Sequence, residues 1–382
     1  MRIFIIKYLI SLLEIQMPDK NLKKKSDKTI LYLVLSTKKT INNSIHDMIL
    51  TELEKRSEKL LIFCLDEKEE STIGKRKYFC GGLFQWLAYF RKLMKADQRL
   101  DYVYINDYFV GGFIGMLFSF YSKSKLIFRC GGPWVYNIRD LSTLFKTLLV
   151  SITKPTVLFA SKKVVYNSQA IVYTGFSHEH KVIYNGVNTT LFSTKPTVID
   201  NSVPKVPVQS DKLRLIFVGN MNVEKGIDIL LSVCQIKQDK VEVSLVGDGP
   251  LFDELSVKYP FAKFYGRLPK QDLPEIMRQH DIMVLPSFVE SLPNVLLEAM
   301  AFGLPVIATN IFGIPEIVDN KLDGLLISPG SAKELSSAID YFLQNPSLVE
   351  TYGQNARKKT LNKFNLDRRI PELCNYFLGE SN

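Results

Sequence analysis

Two glutamates with seven residues between them, Glu290 and Glu298, enclose Ser291, Leu292, Pro293, Asn294 and Val295. The run Ile282 to Leu285 before them is apolar and stopped by Pro286, as expected of a strand buried on both faces of a parallel sheet. Pro293 suits a first helical turn, Leu296, Leu297 and Met300 supply a buried stripe, and Gly303 with Pro305 ends the helix. Val306, Ile307 and Ala308 then begin another strand. If Pro293 opens the helix, Glu298 lies about 8 Å further along its axis. Unbonded amides and the positive dipole end between the glutamates stabilise a phosphate or diphosphate. Each carboxylate can accept hydrogen bonds from a pair of vicinal hydroxyls. Together these features fit a sugar nucleotide, with a hexose at one end, a ribose at the other and a diphosphate between.

Other segments offer supporting chemistry. LRLIFVGNMNVEKGIDILL reads as a strand, Leu213 to Val218, that turns at Gly219 and Asn220 into a helix from about Lys225. Backbone amides at that turn and the Lys225 ammonium can hold diphosphate oxygens. VSLVGDGP is a strand ending in a Gly-x-Gly turn at Gly247, without the third glycine of a dinucleotide fingerprint. In the first half a strand, Leu126 to Arg129, runs into Cys130, Gly131 and Gly132. The two glycines either admit a ligand close to the backbone or make a plain turn.

The segment ESLPNVLLEAMAFGLPVIAT resembles the Glu, seven residues, Glu motif of the retaining glycosyltransferase family 4, whose members have the GT-B fold. The resemblance covers most of residues 29 to 375 and is strongest from 181 to 330. It implies that Glu290 orients the sugar hydroxyls, Glu298 the ribose, and Lys225 the leaving diphosphate, with Glu290 and Lys225 as the catalytic pair. It further implies donor contacts at Gly219, Asn220, Lys225, Gly247, Gly266, Arg267 and the whole run Glu290, Ser291, Leu292, Pro293, Asn294, Val295 and Glu298. Arg129, Cys130, Gly131 and Gly132 fall on the sugar or acceptor side. VIYNGVNTTLF, Val182 to Phe192, resembles the last segment before the interdomain crossing, with Asn185-Gly186 read as a structural turn.

Three departures from the family pattern stand out. Ser36, Thr37 and Lys38 replace the adjacent glycines common after the first strand, and Cys130 stands where a histidine often faces the donor sugar. Asn220 replaces an arginine, which removes one fixed positive charge from the diphosphate site.

The wider chain supplies what must position these groups. Its 382 residues, 46% hydrophobic, are enough for two cores. Strand-like runs at Thr29 to Ser36, Leu60 to Leu65, Tyr102 to Ile105 and Leu126 to Arg129 alternate with helical stretches, among them Ile45 to Lys59 and the apolar run Tyr108 to Tyr121. That alternation indicates doubly wound parallel sheets. The expected fold class is α/β, GT-B, with two Rossmann-like domains facing across a cleft. Residues 1–28 form an N-terminal extension, 29–207 the acceptor domain, 208–365 the donor domain, and 366–382 a helix crossing back to the first domain. A Pro-containing linker, Ser193 to Lys212, joins the domains.

Residues 1–210 carry 31 Lys+Arg against 17 Asp+Glu, a balance of +14, and residues 211–382 carry 18 against 22, a balance of −4. Only the first half is therefore expected to meet an anionic surface such as a membrane face. Its aromatics lie in apolar runs and not among the basic clusters, which argues against nucleic acid. Ile3 to Leu13 is too short to span a bilayer. Five scattered cysteines, Cys64, Cys80, Cys130, Cys234 and Cys374, suit a reduced cytoplasmic chain, whose basic half is the part expected to reach a membrane face peripherally. No Asp-x-Asp triplet occurs, and His178 with His180 reads as a solvated pair, so no metal and no cofactor is expected.

The function expected is retaining transfer of a hexose or N-acetylhexosamine from a UDP-, GDP- or ADP-sugar to a lipid-linked or polysaccharide acceptor. Two rivals share the fold: a nucleotide-sugar 2-epimerase, and a non-catalytic sugar-nucleotide-binding partner of another transferase. The epimerase's carboxylate and histidine pattern is not seen.

Overall fold

The computed structural model describes residues 28–33, 45–64, 69–95, 100–106, 110–131, 141–173, 175, 179–193 and 212–380. Outside the described residues lie most of the N-terminal extension, the loop with Ser36, Thr37 and Lys38, Gly132, His178 and nearly all of the linker with the boundary near 208.

The first sheet contains β1 (Thr29–Leu33), β2 (Lys59–Cys64), β3 (Glu69–Ile73), β4 (Arg76–Cys80), β5 (Tyr102–Ile105), β6 (Lys125–Cys130), β7 (Lys163–Tyr166) and β8 (Glu179–Val182). Their order across the sheet is β3-β4-β2-β1-β5-β6-β7-β8, all parallel except the β3–β4 hairpin. Helices α1 (Ile45–Lys55), α2 (Leu83–Lys95), α3 (Val110–Ser122) and α4 (Leu141–Ala160) connect them. The apolar run near residue 108 is thus the buried helix α3, with Ile114 and Phe118 in the core. Among the described residues no helix is long and apolar enough to cross a membrane.

The second sheet contains β9 (Leu213–Val218), β10 (Val241–Val246), β11 (Lys263–Phe264), β12 (Ile282–Leu285), β13 (Val306–Thr309) and β14 (Gly324–Ile327), in the order β11-β10-β9-β12-β13-β14 and wholly parallel. Its helices are α5 (Ile227–Ile236), α6 (Phe252–Lys258), α7 (Leu273–Met277), α8 (Asn294–Phe302), α9 (Ile314–Ile317), α10 (Ala332–Gln344), α11 (Ser347–Lys363) and α12 (Leu366–Leu378). Strand order reverses between β9 and β12, so the loops leaving their carboxyl ends diverge and open a crevice there. Those loops are Gly219 to Gly226 and Pro286 to Pro293.

The chain crosses between sheets twice, side by side. Val187 N–H donates to Phe364 O at 2.8 Å, and Leu366 N–H to Val187 O at 3.1 Å. Beyond that crossing α12 lies on the first sheet, where Leu366, Ile370, Leu373, Cys374 and Phe377 share a core with Ile30, Tyr32 and Tyr104.

Three boundaries differ from the sequence reading. The helix expected from Lys225 begins at Ile227, because Val223–Lys225 is a 3-10 turn closed by Gly226 in the left-handed region, φ 65°. Pro293 is not the first helical residue of α8: its ψ of 116° leaves it just outside, as the cap. The expected helix Ile45 to Lys59 stops at Lys55, since β2 already starts at Lys59.

Candidate active site

The two diverging loops are locked together. Phe288 N–H donates to Glu224 O at 2.7 Å, and Thr309 Oγ1 donates to Ser287 O at 2.6 Å. A Cβ on Gly226 would lie 2.2 Å from Pro286 O, so only glycine lets the 3-10 turn approach this closely, and its positive φ suits glycine as well. This contact brings Lys225 Nζ to 2.5 Å from Glu290 Oε1, which also accepts from Ser287 Oγ at 3.1 Å. The two charges come from positions 65 residues apart, and both side chains are mostly buried, at 22% and 12% exposure.

Between the sheets opens a cavity of about 350 Å³, lined by Gly131, Asn167 and Asn185 from the first domain and by Glu224, Val289, Glu290, Ser291, Leu292 and Asn294 from the second. The amino end of α8 reaches it at Asn294. Leading amides of a helix have no intrahelical acceptor; Pro293 has no N–H, and Leu296 N–H turns back to Pro293 O at 3.2 Å. The donors left for an anion are the amides of Asn294 and Val295.

Glu298 lies further along α8, 6% exposed, and does not line this cavity. Lys270 Nζ is 2.5 Å from its Oε1. Burial pushes the Glu298 carboxyl above its usual range, and the Lys270 ammonium opposes that rise. Sequence reasoning missed Lys270, which sits in a short 3-10 turn after FYGRLP and carries no motif of its own.

The glycine turns at the neighbouring strand ends stack. Gly219 N–H donates to Val246 O at 2.9 Å, and Gly247 N–H to Gly266 O at 2.8 Å. Asn220 is exposed beside them, its Oδ1 packed over Gly249, and Arg267 is exposed past Gly266. None of Gly219, Asn220, Gly247, Gly266 and Arg267 lines the cavity that holds Glu290.

On the first domain the structure separates residues that the sequence reading placed together on the sugar or acceptor side. Cys130 is fully buried in the core with Leu126 and Phe128, hydrogen-bonded to the buried Lys154, and does not face the cleft. Strand alternation explains this correction, since Leu126, Phe128 and Cys130 share one face of β6 and Arg129 takes the other. Gly131 does line the cavity. Arg129 Nη2 donates to Asn185 Oδ1 at 2.9 Å. Because a guanidinium can only donate, this bond orients the carboxamide and points Asn185 Nδ2 at Asn294 Oδ1, 2.9 Å away in the second domain. Asn185, read from sequence as a turn residue, is thus part of the cleft wall.

Comparison with known proteins agrees with this architecture. Residues 198–359 match the family described as glycosyl transferases group 1. An uncharacterized glycosyltransferase of Methanocaldococcus jannaschii is 24% identical over 323 residues, covering 81% of this chain and 78% of the relative. The capsular polysaccharide biosynthesis glycosyltransferase CapM of Staphylococcus aureus is 25% identical over 292 residues, or 71% of this chain and 75% of CapM. The crystal structure of Anabaena HepE in complex with UDP superposes with a TM-score of 0.72 at 21% identity, over 92% of this chain and 100% of HepE.

Proposed function

We propose, from the premise that this chain is a glycosyl transferase of group 1 with the GT-B fold, that it moves a hexose or N-acetylhexosamine from a nucleoside-diphosphate sugar to a surface-glycan precursor. Transfer proceeds with retention at the anomeric carbon and without a metal ion. The observation that carries this reading is Glu290, which lines a cavity that both domains enclose beside the amino end of α8 and which holds Lys225 Nζ at 2.5 Å.

As the glycosidic bond to the diphosphate breaks, positive charge grows on the sugar ring and negative charge on the departing phosphate oxygens. The Asn294 and Val295 amides stand where the second charge develops, already oriented before the reaction, and the Lys225 ammonium turns to it from Glu290. Glu290 accepts from sugar hydroxyls and fixes the ring, and we assign it no nucleophilic role. Glu298 takes the ribose hydroxyls. The acceptor enters from the first domain, whose basic half of the sequence suits an anionic surface.

HepE was crystallised with UDP and CapM is named for capsular polysaccharide biosynthesis, so UDP-sugars and polysaccharide precursors are the first donors and acceptors to try. A second reading rests on Asn220: with a neutral side chain in place of an arginine, the chain could bind a sugar nucleotide and support another transferase without turning over. The deciding experiment incubates the purified chain with UDP-, GDP- and ADP-sugars in EDTA. Transfer, or slow release of the nucleoside diphosphate, is expected from one of them; no turnover of any favours the partner reading. Flotation of the same preparation with anionic vesicles at low salt checks the membrane surface, and absence of co-flotation removes it.

A further inference from the structure

The residues that join the two domains at the cavity are polar, buried, and aimed at the loop expected to hold the donor. Asn167 is 5% exposed and Ser168 is fully buried, yet both belong to the first domain and find their side-chain partners on the second. Ser291 Oγ donates to Asn167 Oδ1 at 2.9 Å. Ser168 Oγ donates to Glu316 Oε1 at 2.5 Å. The same carboxylate accepts from the backbone amides of Gln169 at 2.8 Å and Ala170 at 3.0 Å. Gly313, one residue before α9, donates its N–H to Ser291 O at 3.0 Å. A Cβ on Gly313 would lie 2.1 Å from Ser291 O and 2.8 Å from Ser168 Oγ, so three segments converge where no side chain fits.

We propose that Glu316, with Ser168 and the Gln169 and Ala170 amides as its first-domain partners and the Ser291–Asn167 bond beside it, is a positioning group that holds the loop of Glu290 against the first domain, so that donor and acceptor meet at one fixed separation. This rests on the transferase reading above. A carboxylate accepting from two amides and a hydroxyl through both its oxygens fixes direction as well as distance. The asparagines use only side chains and the Leu292 carbonyl of the donor loop, which leaves the Asn294 and Val295 amides for the diphosphate. The contacts are hydrogen bonds and not an apolar seam, so water can replace each partner when the domains part. The clasp is therefore able to open for substrate entry and to close again.

The test compares Glu316→Gln and Ser168→Ala with the unaltered full-length chain, each first shown to melt cooperatively. Hydrogen exchange at the Gln169 and Ala170 amides should be slow in the unaltered chain and at least tenfold faster in Glu316→Gln, whose amide nitrogen cannot accept. Donor turnover should fall in kcat by about 10- to 100-fold while the dissociation constant for UDP stays within about twofold, because the nucleotide end of the donor is held by the second domain alone. Gly313→Ala, which wedges the junction without removing a polar group, should reproduce the loss of kcat. Unprotected amides at 169 and 170 in the unaltered chain, or full turnover in Glu316→Gln with those amides exposed, overturns the proposal. If the unaltered chain turns over no donor, the transferase reading fails with its kinetic arm, and the exchange measurement alone decides whether Glu316 clasps the domains.

Discussion

Glu290→Ala is expected to lower kcat for donor turnover by about 10²- to 10³-fold, and Lys225→Ala to lower kcat/KM by at least as much. The two losses should differ in kind. The Lys225 ammonium is held by Glu290 at 2.5 Å. Removing the glutamate frees that ammonium for the diphosphate, so UDP should bind Glu290→Ala as tightly as before or more tightly while the sugar goes unoriented. Removing the lysine instead strands a carboxylate with 12% exposure beside the site where the diphosphate must sit. UDP affinity and turnover should then fall together, since an unpaired charge near the cleft repels the ligand and is poorly hydrated. Glu290→Gln keeps the Ser287 bond and separates orientation from charge. The double variant should lose far less than the product of the single effects, because the two groups act as a unit. Steady-state kinetics with calorimetric UDP titration read all of these. Equal weakening of UDP binding by both single changes would argue that the pair is only structural.

Lys270→Met is expected to raise the donor KM about tenfold at neutral pH, the scale of one charge-assisted hydrogen bond lost beside a buried carboxylate. Its diagnostic effect is on pH dependence. The sign follows from burial: desolvation raises the Glu298 pKa above its ordinary 4.5, and the Lys270 ammonium counters the rise. Under the proposed function ribose hydroxyls bind the ionised form, so donor affinity should be complete above the raised pKa and be lost as pH falls through it. Without the ammonium the carboxyl rises further, and the acid limb of the KM profile moves to higher pH. Lys270→Arg should move it back. Lys270 is itself 57% exposed, so its influence should weaken in high salt. A KM change with no displacement of the acid limb would mean that Lys270 touches the donor directly and does not act through Glu298.

What was legible in the sequence divides along a physical line. Glu290, Pro293 and Glu298 lie on one strand–loop–helix unit, where periodicity and punctuation are local, and the structure has that unit with Pro293 displaced by one position. Lys225 was equally visible beside its strand, although the left-handed Gly226 delays the helix to Ile227. The cleft wall was not visible. Asn167 meets Ser291 across 124 residues, Asn185 meets Asn294 across 109, and Ser168 meets Glu316 across 148. No spacing rule links such positions, because two domains bring them together and no single element does. The β3–β4 hairpin was missed for another reason: EESTI and RKYFC form the sheet's charged edge, which shows little apolar alternation. Cys130 is different again, since its signal was present. Counting alternate positions along KLIFRC puts it with Leu126 and Phe128, facing the core.

The central claim is that the donor's diphosphate lies at the amino end of α8, within reach of Lys225, with the sugar toward Glu290. A crystal structure of the chain with a bound UDP-sugar tests this most directly. The account predicts phosphate oxygens within about 3 Å of the Asn294 and Val295 amides, Lys225 Nζ turned to them, and ribose hydroxyls on Glu298. Density for the nucleotide elsewhere, with the Lys225–Glu290 pair intact and the amides of α8 facing only water, would contradict it.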